Sequence, residues 1–219
     1  IKTALEHTDL STELAGGLQA WKAVKSWQSE GELAVSVQGQ SLQVQQSLSW
    51  QLPDHRFAIQ KLPFGEMRSG FDGKVGWRSA MGQIQDQPEA ATEAAEEYAQ
   101  SLFNLFANGA QLQLQALDEP QTFDGLSCSA AMVKSDVVRD WMIFFSPDGR
   151  LARMSFASKG PKGPAIETQV FSDWKAVGSI QYPHAITVLL DGEKYVDGKI
   201  KTASVNVAFD PSIFAKPKK

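Results

Sequence analysis

The feature that most restricts this 219-residue chain is a period of two. Leu33, Val35 and Val37 alternate with Glu32, Ala34 and Ser36; Leu42, Val44, Leu48, Trp50 and Leu52 then alternate with polar residues, and Gly39 stands between the runs. Successive side chains of a strand point to opposite faces, so this pattern predicts a hairpin with one buried and one wetter face. Further strands are predicted over 56–61, 66–71 and 74–80, the last two joined at Asp72-Gly73. Others fall over 111–117, 127–133, 137–145 and 151–157, with turns at Asp124-Gly125 and Pro147-Asp148-Gly149, because Asp-Gly tolerates the positive φ angles of tight hairpins. The last, over 165–174, 185–190 and 199–209, are separated by Gly178, Asp191-Gly192 and Asp197-Gly198. The Lys-, Gly- and Pro-rich stretch 158–164 reads as a mobile loop.

Two segments change period. Over 11–27 the residues Leu14, Leu18, Ala20, Trp21 and Val24 recur at helical spacing, with Ser11 or Thr12 placed to cap. Gly16-Gly17 inside this helix costs about 1 kcal/mol per glycine relative to alanine, which close approach of another element would explain. A second helix is predicted over 88–107, opened by Pro88, favoured by Glu89, Glu93, Glu96 and Glu97, and stopped by Gly109. Its apolar stripe, Ala91, Ala94, Ala95, Tyr98, Leu102, Leu105 and Phe106, grows bulkier toward the end and must cover something apolar. About ten strands in runs, with two main helices before and between them, predict an α+β fold, mainly antiparallel, rather than a doubly wound parallel one. No linker or solenoid repeat divides the chain, so residues 1–219 read as one domain, and an Ile1 start without an initiating Met reads as a mature form or a piece of a longer chain.

The chemistry suggested by the remaining residues is sparse. A net charge of -4 and a pI near 5.4 offer no general attraction for nucleic acid. The small basic clusters, Lys159 with Lys162 and Lys216 with Lys218 and Lys219, read as solvated charge. Cys128 is the single cysteine, so no internal disulfide is available, and its small-residue strand makes it a buried hydrophobe. The longest apolar run is 141–145, far short of the ~20 residues of a membrane-spanning helix. The Asp-Gly pairs lack calcium-loop ligands, Gly73-Lys74-Val75-Gly76 lacks phosphate-loop spacing, and His7, His55 and His184 stand too far apart for a recognisable zinc motif. There is no nucleophile elbow, and Glu96-Glu97 reads as a solvated helical face. No catalytic residue, metal or cofactor is predicted.

What stands out instead is six Trp, twelve Phe and five Met. Many lie on predicted strands: Trp50, Phe57, Met67, Phe71 and Trp77 in the first half, Met142, Phe144, Met154 and Phe156 in the second. Leu102 and Phe106 join them from the bulky end of the second helix. Two readings stand side by side: a well-filled core, or a cavity in which soft methionines and flat aromatic rings meet a ligand recognised by shape and hydrophobicity.

Several local signatures, in this order, resemble the LolA/LolB-like family of periplasmic lipoprotein carriers and receptors. They are Gly16-Gly17 ahead of the Trp27 strand; Phe71-Asp72-Gly73-Lys74-Val75-Gly76-Trp77; Asp173-Trp174 with Gly178 and Tyr182-Pro183-His184; and Val205-Asn206 ahead of Phe214-Ala215-Lys216-Pro217. The likeness spans nearly the whole chain and is especially close to the LolA-like domains at the C-terminal end of some insulinase-type zinc peptidase chains, without the peptidase's zinc motif. It implies an unclosed β-barrel whose curled antiparallel sheet is plugged on its concave side by the two helices. It further implies a cavity for a lipid or a lipoprotein acyl chain, non-catalytic binding and a place in the periplasm or cell envelope. The cavity would draw on Trp50, Phe57, Met67, Trp77, Leu102, Phe106, Met142, Phe144, Met154 and Phe156. The alternative is a structural or substrate-presenting module attached to a peptidase, with a filled core and no small ligand.

Overall fold

The computed structural model describes residues 3–37 and 39–218. Ile1 and Lys219, on which the start of the chain and part of the basic tail were read, lie outside the described residues, as does the side chain of Val37. Helices α1 (Ala4–Leu14) and α2 (Leu18–Lys22) precede strands β1 (Ser26–Val37), β2 (Gln40–Gln51), β3 (His55–Leu62), β4 (Gly65–Asp72), β5 (Gly76–Ala80) and β6 (Gln83–Asp86). Helices α3 (Ala90–Ala99) and α4 (Leu102–Asn108) follow. Strands β7 (Gln113–Ala116), β8 (Gln121–Phe123), β9 (Leu126–Lys134), β10 (Trp141–Phe145), β11 (Leu151–Gly160), β12 (Gly163–Val177), β13 (Ile180–Leu190) and β14 (Glu193–Val205) complete the chain.

The fold is α+β and mainly antiparallel, as the alternation predicts. Hydrogen-bonded strand order is β6-β5-β4-β3-β2-β1-β14-β13-β12-β11-β10-β9-β7, with β8 also paired to β9, so the sheet is unclosed and ends at β6 and β7. Among the described residues its fourteen strands exceed the ten or so predicted. Strands such as β6 and β8, of four and three residues, are too short to show a period.

Other boundaries also move. No helix runs over 11–27: α1 ends at Leu14, and Trp27 already lies in β1. Gly16 and Gly17 reverse the chain with φ of 116° and 89°, and a Cβ at Gly16 would sit 2.5 Å from the Ser179 carbonyl oxygen. The close approach predicted from these glycines is therefore present, and the Gln181 amide donates to Ala15 O at 2.7 Å beside it. Thr3, not Ser11 or Thr12, caps the helix, accepting from the Glu6 amide while the Glu6 carboxylate accepts from its own. Ser11 is buried and takes the Leu151 amide at 2.8 Å.

The predicted 88–107 helix is two helices. Ser101 donates its hydroxyl to Tyr98 O at 2.8 Å, giving the backbone a local alternative to continued helix, and α3 stops. The division of the chain into two compact units falls here: one holds the chain up to Lys22 with Leu102–Asp197, the other Ala23–Ser101 with Gly198 onward. The 158–164 segment is not a loop, because β11 and β12 continue in register to Gly160↔Gly163 around a turn at Pro161-Lys162. Asp197-Gly198 is not a turn either but lies inside β14, where Lys194 and Thr187 engage the Asp197 carboxylate. At Asp72-Gly73 the turn holds: the Asp72 carboxylate accepts from the amides of Val75 (2.7 Å) and Lys74 (3.0 Å). Chiefly the Val75 bond keeps this carboxyl below the usual range, so its stabilisation is present above the ordinary carboxylate pKa and is lost as pH falls through the lowered one.

In the first unit Trp141, Ile143, Phe145 and Met154 share one buried sheet face, and His7 of α1 stacks on Phe145 at 5.6 Å. Trp21 of α2 packs on Phe106 of α4 at 4.9 Å, and Phe103 stacks on Tyr182 at 5.8 Å. A smaller cluster on the opposite face holds Cys128, Ala130 and Phe144, with Phe123 and Met142 against it. In the second unit α3 lies on β4 and β5, with Ala90 and Ala94 against Phe71. The other face is closed by the C-terminal segment, where fully buried Phe214 accepts the Trp77 indole N–H at its carbonyl, 3.0 Å away.

Gly16→Ala meets both a positive φ and the Ser179 carbonyl, and is expected to lose about 1–3 kcal/mol. Gly17→Ala meets no atom nearer than 3.5 Å and is expected to lose about 1 kcal/mol. Thermal unfolding of both variants checks the ordering. Cys128 is fully buried and burial pushes its thiol up, so an aromatic disulfide reagent is expected to modify it only after denaturant is added.

Candidate functional site

Register in the second unit lines up side chains that lie far apart in sequence. Arg56 of β3 pairs with Phe71 of β4, and Phe71 with Gly76 of β5; the next row is Ala58, Ser69 and Arg78, and the next Gln60, Met67 and Ala80. All of these share one face. Gly76 lets α3 approach, since a Cβ there would collide with the Ala90 methyl. Beside that contact a cavity of about 270 Å³ remains, with Ala58, Met67, Phe71, Ala90 and Ala94 as apolar walls. Its polar lining includes Arg56, Arg78, Glu93 and Glu97.

Arg56 dominates the electrostatics. Its Nη1 pairs with the Glu97 carboxylate, and the two side chains keep 34% and 36% of their surface exposed. The enclosed part of the guanidinium includes Nε, which has no hydrogen-bond partner among the described residues, a deficit that typically costs about 1–3 kcal/mol. Burial lowers the Arg56 pKa to about 10, against the opposing field of Glu93, so the group stays charged at neutral pH. Glu93 accepts from the Gln87 amide at 3.1 Å, and Arg78 donates to the Gln85 carbonyl at 3.3 Å. Glu97 is therefore an ion-pair partner, not the solvated charge predicted for Glu96-Glu97. Arg56 escaped notice because its strand neighbours Phe57 and Ile59 suggest that the Arg56 face is the wet one.

A second cavity, about 480 Å³, lies in the first unit near the tips of the β11–β12 and β13–β14 hairpins, against Pro161, Glu167, Val188, Leu190 and Tyr195. Among the described residues no group of three or more His, Cys, Asp or Glu is placed to hold a metal ion, and no helix is long and apolar enough to cross a membrane.

The ten residues singled out in the sequence are dispersed. Met67 lines the α3 cavity; Trp50 is on the same face, its indole edge-on to Tyr98 at 6.3 Å. Phe57 and Trp77 meet on the opposite face at 6.1 Å, although Trp77 also borders the cavity. In the first unit Leu102, Phe106 and Met154 are core residues, Phe156 is half-buried, and Met142 and Phe144 belong to the Cys128 cluster.

No family model and no curated protein matches the sequence. Solved structures do match in fold over nearly their full lengths. A LolA superfamily protein from Nitrosomonas europaea gives a TM-score of 0.61 at 11% identity, covering 99% of both chains. A DUF1329 family protein from Desulfovibrio piger gives 0.58 at 10%, covering 98% of both. A domain from Vibrio parahaemolyticus named for outer membrane lipoprotein sorting gives 0.56 at 10%, covering 96% of this chain and 95% of that one. The chain has the LolA-like fold.

Glu97→Gln leaves the Arg56 charge without its carboxylate. The loss expected is about 1–2 kcal/mol, below the value for a fully buried pair because both partners keep solvent contact, and urea unfolding of the variant measures it.

Proposed function

We propose that this chain, as one LolA-like domain, binds a hydrophobic ligand without covalent chemistry, a lipid or the acyl chain of a lipoprotein, in the periplasm or cell envelope of a bacterium. The observation that carries the reading is the unfilled space under α3. The space is a cleft half open to solvent, and its apolar patch beside α3 is a place for the tail of a guest to leave water. At about 270 Å³ the space sits just below the roughly 300–1,000 Å³ of typical small-molecule sites, which suits one chain better than several. Each methylene moved from water onto Ala58, Met67 and Phe71 contributes roughly 0.8 kcal/mol, enough for useful affinity from a single tail. The fold shared with a domain named for lipoprotein sorting supports the same reading.

Native mass spectrometry of gently purified protein, followed by organic extraction, is expected to find lipid at about one copy per chain. Ala58→Phe places a ring in the cavity and is expected to weaken a fluorescent acyl probe about tenfold, with circular dichroism unchanged. Protein that carries no lipid and ignores the probe would be a structural module with a filled core, and the binding reading would fall.

A further inference from the structure

One apolar wall of the α3 cavity is chemically labile. The chain has five methionines. Met154 is 1% exposed and Met132 and Met142 are half-buried, whereas Met67 and Met81 keep 39% and 83% of their surface in solvent. Met81 sits in the turn between β5 and β6, outside the cavity. Met67 lines the cavity, and among the described residues it is the single methionine of that lining. The other apolar walls, Ala58, Phe71, Ala90 and Ala94, carry no atom that a peroxide oxidises readily, and Cys128, the one thiol, is fully buried in the other unit. A thioether is soft and adaptable against a ligand, and when solvent reaches it, it is also open to oxidation.

We propose that Met67 is a peroxide-sensitive modification site, and that its oxidation to the sulfoxide drives an acyl guest from the cavity. This switch rests on the hydrophobic-ligand reading and adds a means of regulating it. In the step the Met67 sulfur gives an electron pair to one oxygen of hydrogen peroxide, the O–O bond breaks and an S–O bond forms. The departing hydroxide takes up the proton carried by the transferred oxygen and leaves as water, so sulfur is oxidised and peroxide reduced. A dithiol reductant reverses the change, yielding thioether, water and a disulfide. The sulfoxide oxygen is a hydrogen-bond acceptor. In the empty cavity it meets water or the Gln60 and Arg78 side chains that line the same space, whereas the methylenes of a guest offer it no donor. A guest lying on Met67 also covers its sulfur, so occupancy slows the oxidation that would expel it.

The test treats the full chain with hydrogen peroxide, follows each methionine by peptide mass spectrometry and measures binding of dansyl undecanoate before and after. Met81 and then Met67 are expected to gain oxygen while Met154 is spared in the folded protein. Saturating dansyl undecanoate is expected to slow oxidation of Met67 about fivefold and to leave Met81 unaffected, a readout on the unaltered chain that depends on no variant folding. Oxidised protein is expected to bind the probe about tenfold more weakly, and Met81→Leu to show the same loss. Met67→Leu is expected to keep through peroxide whatever affinity it starts with. Met67 that oxidises no faster than Met154, or gains no protection from the probe, overturns the switch. Oxidation of Met67 without a change in affinity, or a loss that Met67→Leu shares, overturns it too and leaves acyl binding standing. Unoxidised protein that ignores the probe overturns both.

Discussion

Antiparallel pairing runs without a slip from Ser26↔Gln51 to Val37↔Gln40, and again from His55↔Asp72 to Leu62↔Gly65, and the row that sets Arg56, Ala58, Met67 and Phe71 on one face follows from the second ladder. A displacement of one residue exchanges the two faces of a strand. In β3 such a slip would carry Arg56 away from α3 and put Phe57 in its place, stranding a charge under the C-terminal segment and taking an aromatic ring from Trp77. The backbone ladder is sequence-blind, so its register depends on side-chain pattern and on turns that admit only one loop length. The paired positive φ angles at Asp124-Gly125 and Asp191-Gly192, near 50° and 80–85°, are of that kind.

Around Phe71 and Trp77 the second unit's sheet is covered on both faces, and the coverings differ in character. On one, Phe214 is fully buried, with Phe209 edge-on to it at 5.6 Å and the Trp77 indole hydrogen-bonded to its carbonyl. On the other, α3 presents alanines at its contact and carboxylates beside it. Small residues bring the helix close without filling the space along its flank, and the carboxylates allow an arginine to lie there. The cavity thus combines apolar walls with the Arg56–Glu97 ion pair, a mixed lining that aromatic and methionine content alone does not suggest.

Much of this architecture was legible. The long strands announced themselves by alternation, and Gly16-Gly17 signalled a close approach that the Ser179 carbonyl supplies. The errors have physical causes. Helical spacing over 11–27 came from two short helices and the first residues of a strand read as one pattern, since Trp21 and Trp27 are both buried for different reasons. The 88–107 helix looked continuous because Ser101 breaks it by a local hydrogen bond, which leaves no mark on hydrophobic period. Asp197-Gly198 has turn chemistry but no turn, because strand pairing outweighs local preference there. The candidate site was the least legible part. Alternation tells which residues share a face but not which face a helix covers, so Arg56 carried no signal, and Glu97 read as solvated charge because consecutive glutamates on a helix do not show the strand beneath them.

The sheet also has two ends. β6 and β7 are each four residues long, with sequences Gln-Ile-Gln-Asp and Gln-Leu-Gln-Ala, whereas β12 in the interior runs for fifteen. The outer rim of β9 is divided between β7 and β8, neither long enough to template a new strand along its whole length. An open array of fourteen strands is an invitation to self-association, because unpaired amides and carbonyls at a rim recruit any extended chain that passes. Tapering the rims to short, glutamine-rich stubs withdraws that invitation. A molecule built this way can keep its sheet unclosed without growing into a fibre.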